Sequence, residues 1–305
     1  MPLPPVAIVG AGSLGCYFAA RLALAGVPVT LIGRPAQAEA INRDGLVFES
    51  DGTQQTVRLT ATADAQGVRG ARFVPICVKS GDSDSAAEAV APHLSADAVL
   101  VSLQNGVGNT ERIHARTSRP SIAGLVYIGA NMPAAAHVRH AGGNRIVIGA
   151  IEGCGATEAM LGDLAALFRA AGVTVDISAD MDGALWAKLT MNCAYNAVCA
   201  LTGKPYGAMG AVPEIRAIMR QAADEVIALA RRKGISIPEE VSANLLVMTE
   251  AMPHQMSSTA QDIARGRATE IDYLNGFVAR ESAALGLDAP VNRTLAALVK
   301  LRERP

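Results

Sequence analysis

Charge is scarce in this chain. Only 18% of its residues are charged, the formal net charge is -1, and Lys and Arg are interleaved with Asp and Glu. No basic block of the kind that tracks nucleic-acid phosphates is present, so a nucleic-acid partner is not expected. Cysteine is sparse as well. Residues 16, 77, 154, 193 and 199 form no CxxC pair and no even disulfide framework, which favours reduced, cytosolic thiols. Long apolar runs are missing: the long uncharged stretch 120–138 contains Gly124, Gly129, Asn131 and Pro133, which argues against a membrane helix. The opening "MPLPPVAIVGAG" shows no basic region, apolar stretch and cleavage site in series. His and carboxylate residues form no cluster with ligand spacing, so no metal is expected. Fixed-period repeats and low-complexity segments are also absent. The expectation is a soluble, cytoplasmic protein without a membrane partner.

What is present is a large apolar inventory. Half of the 305 residues are hydrophobic, enough for more than one core, and the length suggests two domains. "VAIVGAGSLGCYFAARLALAGVPVTLIGR" reads as strand (6–9), tight turn, helix (13–25) and strand (28–32). Gly10, Gly12 and Gly15 complete GxGxxG between that strand and helix. The first glycine serves the tight turn, the second lets backbone approach a pyrophosphate, and the third packs helix on strand. The helix N-terminus adds free N–H groups and a positive dipole end. Gly10, Ala11, Gly12, Ser13, Leu14 and Gly15 are therefore the expected cofactor loop.

The second strand bears on which dinucleotide is bound. NAD enzymes commonly place Asp or Glu at its end, about 20 residues past the glycines, to hold the ribose 2′-hydroxyl. Here the strand ends "LIGRP", with Gly33 and Arg34 and no carboxylate. A small residue leaves room for a 2′-phosphate and a guanidinium suits it, so NADPH is favoured; Arg34 also reads as a solvated surface arginine. Residues 42–72 look rich in strands and turns. "RFVPICVKSGD" is an apolar strand ending at Lys79, and "DAVLVSLQNGVGN" another ending at Gln104-Asn105-Gly106, with a short helix from 107. Ligands of open α/β sheets bind beyond the carboxyl ends of strands, which makes Lys79 and Asn105 candidates for the nicotinamide end. Lys79 alone could equally be a solvated loop residue, and Asn-Gly is a common turn dipeptide.

Further strands are expected near 122–128 and 145–149, then a helix at 157–171 stopped by Gly172, and a last strand in "VTVDIS". From about 180 helical patterns take over, at 182–202, 211–233, 238–252, 258–265, 270–285 and 290–303. The expected architecture is an α/β N-terminal Rossmann domain with a mostly parallel sheet (residues 1–179), followed by an all-α C-terminal domain (180–305). In "LWAKLTMNCAYNAVCAL", Lys188, Asn192 and Asn196 recur every fourth residue. On a helix each such step turns by about 40°, so the three polar groups share one face along about 12 Å. Burying them is costly unless something pairs with them; a polar substrate, or a packing network with buried backbone groups, would do so. In "SSTAQDIARGRATEIDYLNG", Ser258 followed by Gln261 fits a capping box. Glu270 falls near the start of the next helix, where the dipole alone favours a carboxylate, and Asp262, Arg265, Arg267 and Asp272 read as a surface salt-bridge set.

Taken together, GAGSLG, the strand-end VK, QNGVGN, LWAKLTMNCAYN, SSTAQDIARGRATEIDYLNG and APVNRTL resemble the ketopantoate reductase (2-dehydropantoate 2-reductase) family over nearly the whole chain. GxGxxG is shared widely; its ordered combination with K-x3-N-x3-N and S-x3-D-x7-E is far more specific. The resemblance implies a Rossmann domain followed by a helical domain with the active site between them, and NADPH-dependent reduction of a 2-oxo acid, 2-dehydropantoate, to (R)-pantoate on the route to pantothenate and coenzyme A. It makes Lys188 the catalytic lysine and Glu270 its acidic partner. Asn192, Asn196 and Ser258 become substrate contacts, Lys79 and Asn105 cleft residues near substrate and cofactor, and Arg34 the 2′-phosphate contact; Glu270 also counts among the cofactor contacts. Gln255 stands where some members have an asparagine, and Thr259 where Met is usual, which leaves the substrate side chain open. The assembly is not legible in the sequence, and a homodimer is compatible with it. Two other readings stay open: reduction of a different 2-oxo or 3-oxo acid on the same scaffold, and NADPH sensing without turnover.

Overall fold

A computed structural model describes residues 3–303. Two compact units emerge: one comprises the chain up to Gln104 together with Gly108–Met181, the other Asn105–Val107 together with the chain from Asp182 onward.

The first unit is built on a ten-stranded sheet. In chain order its elements are β1 (Val6–Val9), α1 (Ser13–Leu24), β2 (Val29–Ile32), α2 (Pro35–Asp44), β3 (Leu46–Ser50), β4 (Thr53–Val57), β5 (Thr60–Thr62), β6 (Phe73–Ile76), α3 (Ser83–Val90), β7 (Val99–Ser102), α4 (Asn109–Thr117), β8 (Ser121–Ala134), β9 (His137–Ala150), α5 (Glu158–Ala170) and β10 (Thr174–Ile177). Strand order is β4-β3-β9-β8-β7-β6-β1-β2-β5, with β10 also on β9. Only β3–β4 and β8–β9 are antiparallel. Strands β1, β6 and β7 are buried at every position because both faces are covered, and only Ser102 at the end of β7 is polar. Alternate residues of β1 feed two cores: Val6 and Ile8 join Tyr17, Phe18 and Phe73, whereas Ala7 and Val9 join Val74, Ile76 and Leu100.

The second unit is helical: α6 (Met181–Thr202), α7 (Tyr206–Gly210), α8 (Pro213–Arg232), α9 (Glu239–Ala243), α10 (Val247–Ala251), α11 (Ser258–Ala264), α12 (Asn275–Ala284) and α13 (Pro290–Arg302). Helix α6 is apolar around most of its girth because two clusters pack on it. Trp186, Leu189 and Cys193 face Val226, Leu229 and Leu274, while Ala194, Tyr195 and Val198 face Tyr206, Met219 and Val299. Lys188, Asn192 and Asn196 take the remaining arc. Glu225 of α8 fixes the start of α13, accepting from Val291 N and Asn292 N, both at 2.9 Å.

Several expected boundaries move. Strand β6 ends at Ile76, three residues before Lys79, which instead caps a 3₁₀ turn at Ser80–Asp82. Helix α4 starts at Asn109 rather than 107, after the left-handed Gly108. The segment 238–252 divides into α9 and α10, and 270–285 into a 3₁₀ turn (Ile271–Tyr273) and α12. No helix among the described residues is long and apolar enough to cross a membrane, and all five cysteines are free thiols.

Candidate active site

In the first unit the site is built around the turn between β1 and α1. Gly10 has φ +112°, and a Cβ there would meet the backbone of Cys77 and Val78 at 2.7 Å. A Cβ on Gly15 would overlap the Gly10 carbonyl, so helix and turn touch backbone to backbone. Gly12 is the opposite case: it is exposed, caps α1, and has no atom within 4 Å of where a Cβ would stand. The first turn of α1 carries no acidic residue. A cradle closed on the protein side and open at the helix N-terminus fits a dinucleotide pyrophosphate. Ala11, Ser13 and Leu14 are partly buried along the same turn. At the end of β2, Arg34 is exposed and caps α2, with Pro35 as the first helical residue.

Lys79 is partly buried in the loop that meets Gly10 through Val78. A buried polar network fixes this loop. Gln104 Nε2 donates to Val78 O at 2.9 Å and to Ser83 Oγ at 2.6 Å, and Ser83 Oγ donates to Asn109 Oδ1 at 3.2 Å. Gln104 stands at an expected strand end with no task legible in the sequence; nothing local to it reveals that its partner lies 26 residues away. Cys16 lies beside the turn, but burial pushes its thiol up to about 12, and burial likewise raises Cys77, so neither is primed as a nucleophile.

In the second unit Lys188, Glu270 and Asn105 come together. Lys188 is partly buried on α6. Burial draws its ammonium down from 10.5 to about 8, against the opposing pull of the Glu270 carboxylate. Asn105 Nδ2 donates to Glu270 Oε2 at 3.1 Å. Gly106, at φ +87°, lets the Asn105–Val107 segment lie against Tyr273, whose carbonyl oxygen would be 2.8 Å from a Cβ there. Glu270 is not in the first turn of an α-helix as expected. It precedes the 3₁₀ turn, and α12 starts only at Asn275. A helix dipole therefore does not account for this carboxylate; its partners Lys188 and Asn105 do.

Asn192 is partly buried and Asn196 only 5% exposed, yet neither side-chain amide bonds another described residue, and neither is among the fully enclosed polar atoms lacking a partner. The two amides keep solvent access on the face that carries Lys188. This is not the arrangement of a packing network. Ser258 is exposed and is the first residue of α11, not its cap. The cap is Ser257: it is buried, accepts from Ala260 N at 3.1 Å, and donates to Asn196 O at 3.3 Å. In a Ser-Ser doublet the capping signal is shared, so only the structure assigns it. The expected salt-bridge set is also redrawn, because Asp272 pairs with Lys300 at 3.0 Å.

A Rossmann-type glycine turn in one unit and a carboxylate-coupled lysine in the other define a pyridine-nucleotide-dependent oxidoreductase. Comparison with known proteins narrows the class. Residues 6–153 match the family described as ketopantoate reductase PanE/ApbA, and residues 180–303 match its C-terminal counterpart. A 2-dehydropantoate 2-reductase of Halobacterium salinarum is 32% identical over 98% of this chain and 99% of its own. One of Archaeoglobus fulgidus is 31% identical over 98% of each. The crystal structure of a PanE/ApbA family ketopantoate reductase from Ralstonia eutropha JMP134 superposes with a TM-score of 0.91 at 43% identity, covering 98% of both chains. The chain belongs to the ketopantoate reductase family.

Proposed function

We propose that this protein reduces 2-dehydropantoate to (R)-pantoate with NADPH, a step toward pantothenate and coenzyme A. The observation that carries the reading is on α6: a partly buried ammonium coupled to Glu270 shares a helix face with two amides that have no partner among the described residues. The relatives named 2-dehydropantoate 2-reductase, at 32% and 31% identity, support the choice of substrate.

A reduced nicotinamide, when bound, supplies the hydride. The chain's own residues do the rest. Reduction of a ketone leaves negative charge on oxygen, and Lys188 both neutralises that charge and delivers the proton from Nζ. Burial makes this ammonium a stronger acid than a solvated lysine, while Glu270 keeps it protonated near neutral pH. Asn105 orients Glu270 through its Nδ2 hydrogen bond. Asn192 and Asn196 hold the polar groups of the substrate, with Ser258 near its carboxylate. The first unit holds the cofactor through the turn Gly10–Gly15, with Lys79 toward its reactive end and Arg34 on the 2′-phosphate.

The test follows NADPH absorbance with ketopantoate, beside NADH and a panel of other 2-oxo and 3-oxo acids. Ketopantoate is expected to give the highest kcat/KM, with NADPH preferred. A different best acid would replace the substrate and keep the mechanism. Tight NADPH binding with no oxidation by any acid would leave a cofactor-sensing protein instead.

A further inference from the structure

Gly33 occupies the place at the end of β2 where NAD-dependent enzymes set the carboxylate that binds the ribose 2′-hydroxyl. Its backbone is not in the left-handed region, so conformation alone does not demand glycine. Space does. A Cβ built on Gly33 would lie well inside 3.0 Å of the Ala11 methyl carbon, closer than real Cβ contacts come. The next nearest atoms, Ala11 Cα and N, stand at 3.5 Å, an ordinary contact. The whole obstruction is therefore one methyl group on the cofactor loop.

The strand end cannot easily swing aside. Gly33 N donates to Thr62 O at 2.9 Å on β5, and Gly10 N donates to Ile32 O at 2.8 Å, so residues 32–33 are pinned on two sides. Relief would have to come from the glycine turn, whose position is itself set by the backbone contacts of Gly10 and Gly15.

We propose that Ala11 is a specificity-determining residue. By filling the space above Gly33, its methyl group bars from the end of β2 any side chain able to reach the ribose 2′-hydroxyl. The adenosine end is thereby left to Arg34 and the N-terminus of α2. This rests on the reading that a dinucleotide lies on the glycine turn.

The experiment uses the full chain and measures Kd for NADPH and for NADH by fluorescence titration, together with the Tm of each protein without cofactor. Gly33→Ala is expected to lower Tm by several degrees and to weaken both cofactors, since the added carbon forces the turn to move. Adding Ala11→Gly to Gly33→Ala is expected to restore Tm. Gly33→Asp alone should weaken both dinucleotides. Ala11→Gly with Gly33→Asp should shift the ratio of the two Kd values toward NADH by about 100-fold relative to Ala11→Gly alone, as a carboxylate binds the hydroxyl and repels the phosphate. The inference is overturned if Gly33→Ala is as stable as the unaltered chain, if Ala11→Gly fails to restore it, or if Gly33→Asp selects NADH equally well with Ala11 in place. If the unaltered chain binds neither dinucleotide, the proposed function falls and this inference with it.

Discussion

Asn105 Nδ2 donates to Glu270 Oε2 at 3.1 Å, joining two side chains 165 positions apart in the sequence. Glu270 thus has a neutral donor on one side and acts on the Lys188 charge. Removing the donor should loosen the carboxylate without removing it. Asn105→Ala is expected to lower kcat/KM about tenfold, the value of one hydrogen bond to a charged group. Asn105→Asp should be worse, because two carboxylates would then share the space. Steady-state kinetics, with circular dichroism to confirm the fold, decide the order; equal activity in both variants would remove Asn105 from the mechanism.

Lys188 must hold a proton to give one away. With its value near 8, kcat/KM is expected to fall with unit slope as pH rises past about 8. Glu270→Gln removes the attraction that favours the ammonium, so the same limb should move to lower pH. Lys188→Ala should abolish the limb and cost about 100-fold or more in rate. A pH profile of Glu270→Gln that superposes on that of the unaltered enzyme would contradict the coupling.

The same group has a signature in stability. Its folded-state value of about 8 lies below the ordinary 10.5, so between these pH values the unfolded chain keeps the proton and the folded chain has released it. Unfolding then takes up a proton, and the stability contributed by Lys188 rises with pH across that window; below about 8 it is at its least favourable. Lys188→Met should therefore melt higher than the unaltered protein at pH 7, and the gap should close toward pH 10. A gap that is constant with pH would show that the lysine is not desolvated in solution.

Asn196 separates recognition from packing. Its amide has no partner among the described residues, and its backbone carbonyl accepts from Ser257 whatever the side chain. Asn196→Leu is expected to change stability by less than about 1 kcal/mol and to raise KM about tenfold or more. A large loss of Tm with unaltered KM would return the amide to the core.

The serine doublet gives the complementary contrast. Ser257→Ala deletes the cap of α11 and its bond to Asn196 O, at a cost of about 0.5–2 kcal/mol in stability. Ser258→Ala removes an exposed hydroxyl, so it should leave Tm unchanged and raise KM. Thermal melts and KM values of the two variants are expected to split in this way, and both effects falling on one serine would refute the division of labour.

What could be read from the sequence was what is encoded locally. The turn Gly10–Gly15 lies between its strand and helix as the spacing requires, and the long helix carrying Lys188, Asn192 and Asn196 follows from unbroken apolar periodicity. Helix α2 is not legible in the sequence because its buried side is small, only Ala38, Ala40 and Ile41. Strands β8 and β9 each run at least twice as far as their apolar cores suggest. Their outer halves, "IGANMPA" and "HVRHAGGN", carry the Gly, Asn and Pro of turns, yet pair as a half-exposed ribbon with irregular register. The Asn105–Glu270 bond has no local signal, since nothing near either residue names the other; only the family resemblance assigns both to one site. Ser257 and Ser258 are chemically identical neighbours that only burial tells apart.

The tripeptide Asn105–Val107 also governs how the molecule can be dissected. It arises in the midst of the nucleotide-binding sequence but clusters with the helices, where Val107 packs against the apolar group around Trp186 and Leu274. A fragment starting at residue 182 would be born without it: Glu270 would lack its amide donor, and the Tyr273 carbonyl its glycine neighbour. Anyone expressing the helical half alone must graft those three residues back, or add them as a separate peptide, before judging what that half does unaided.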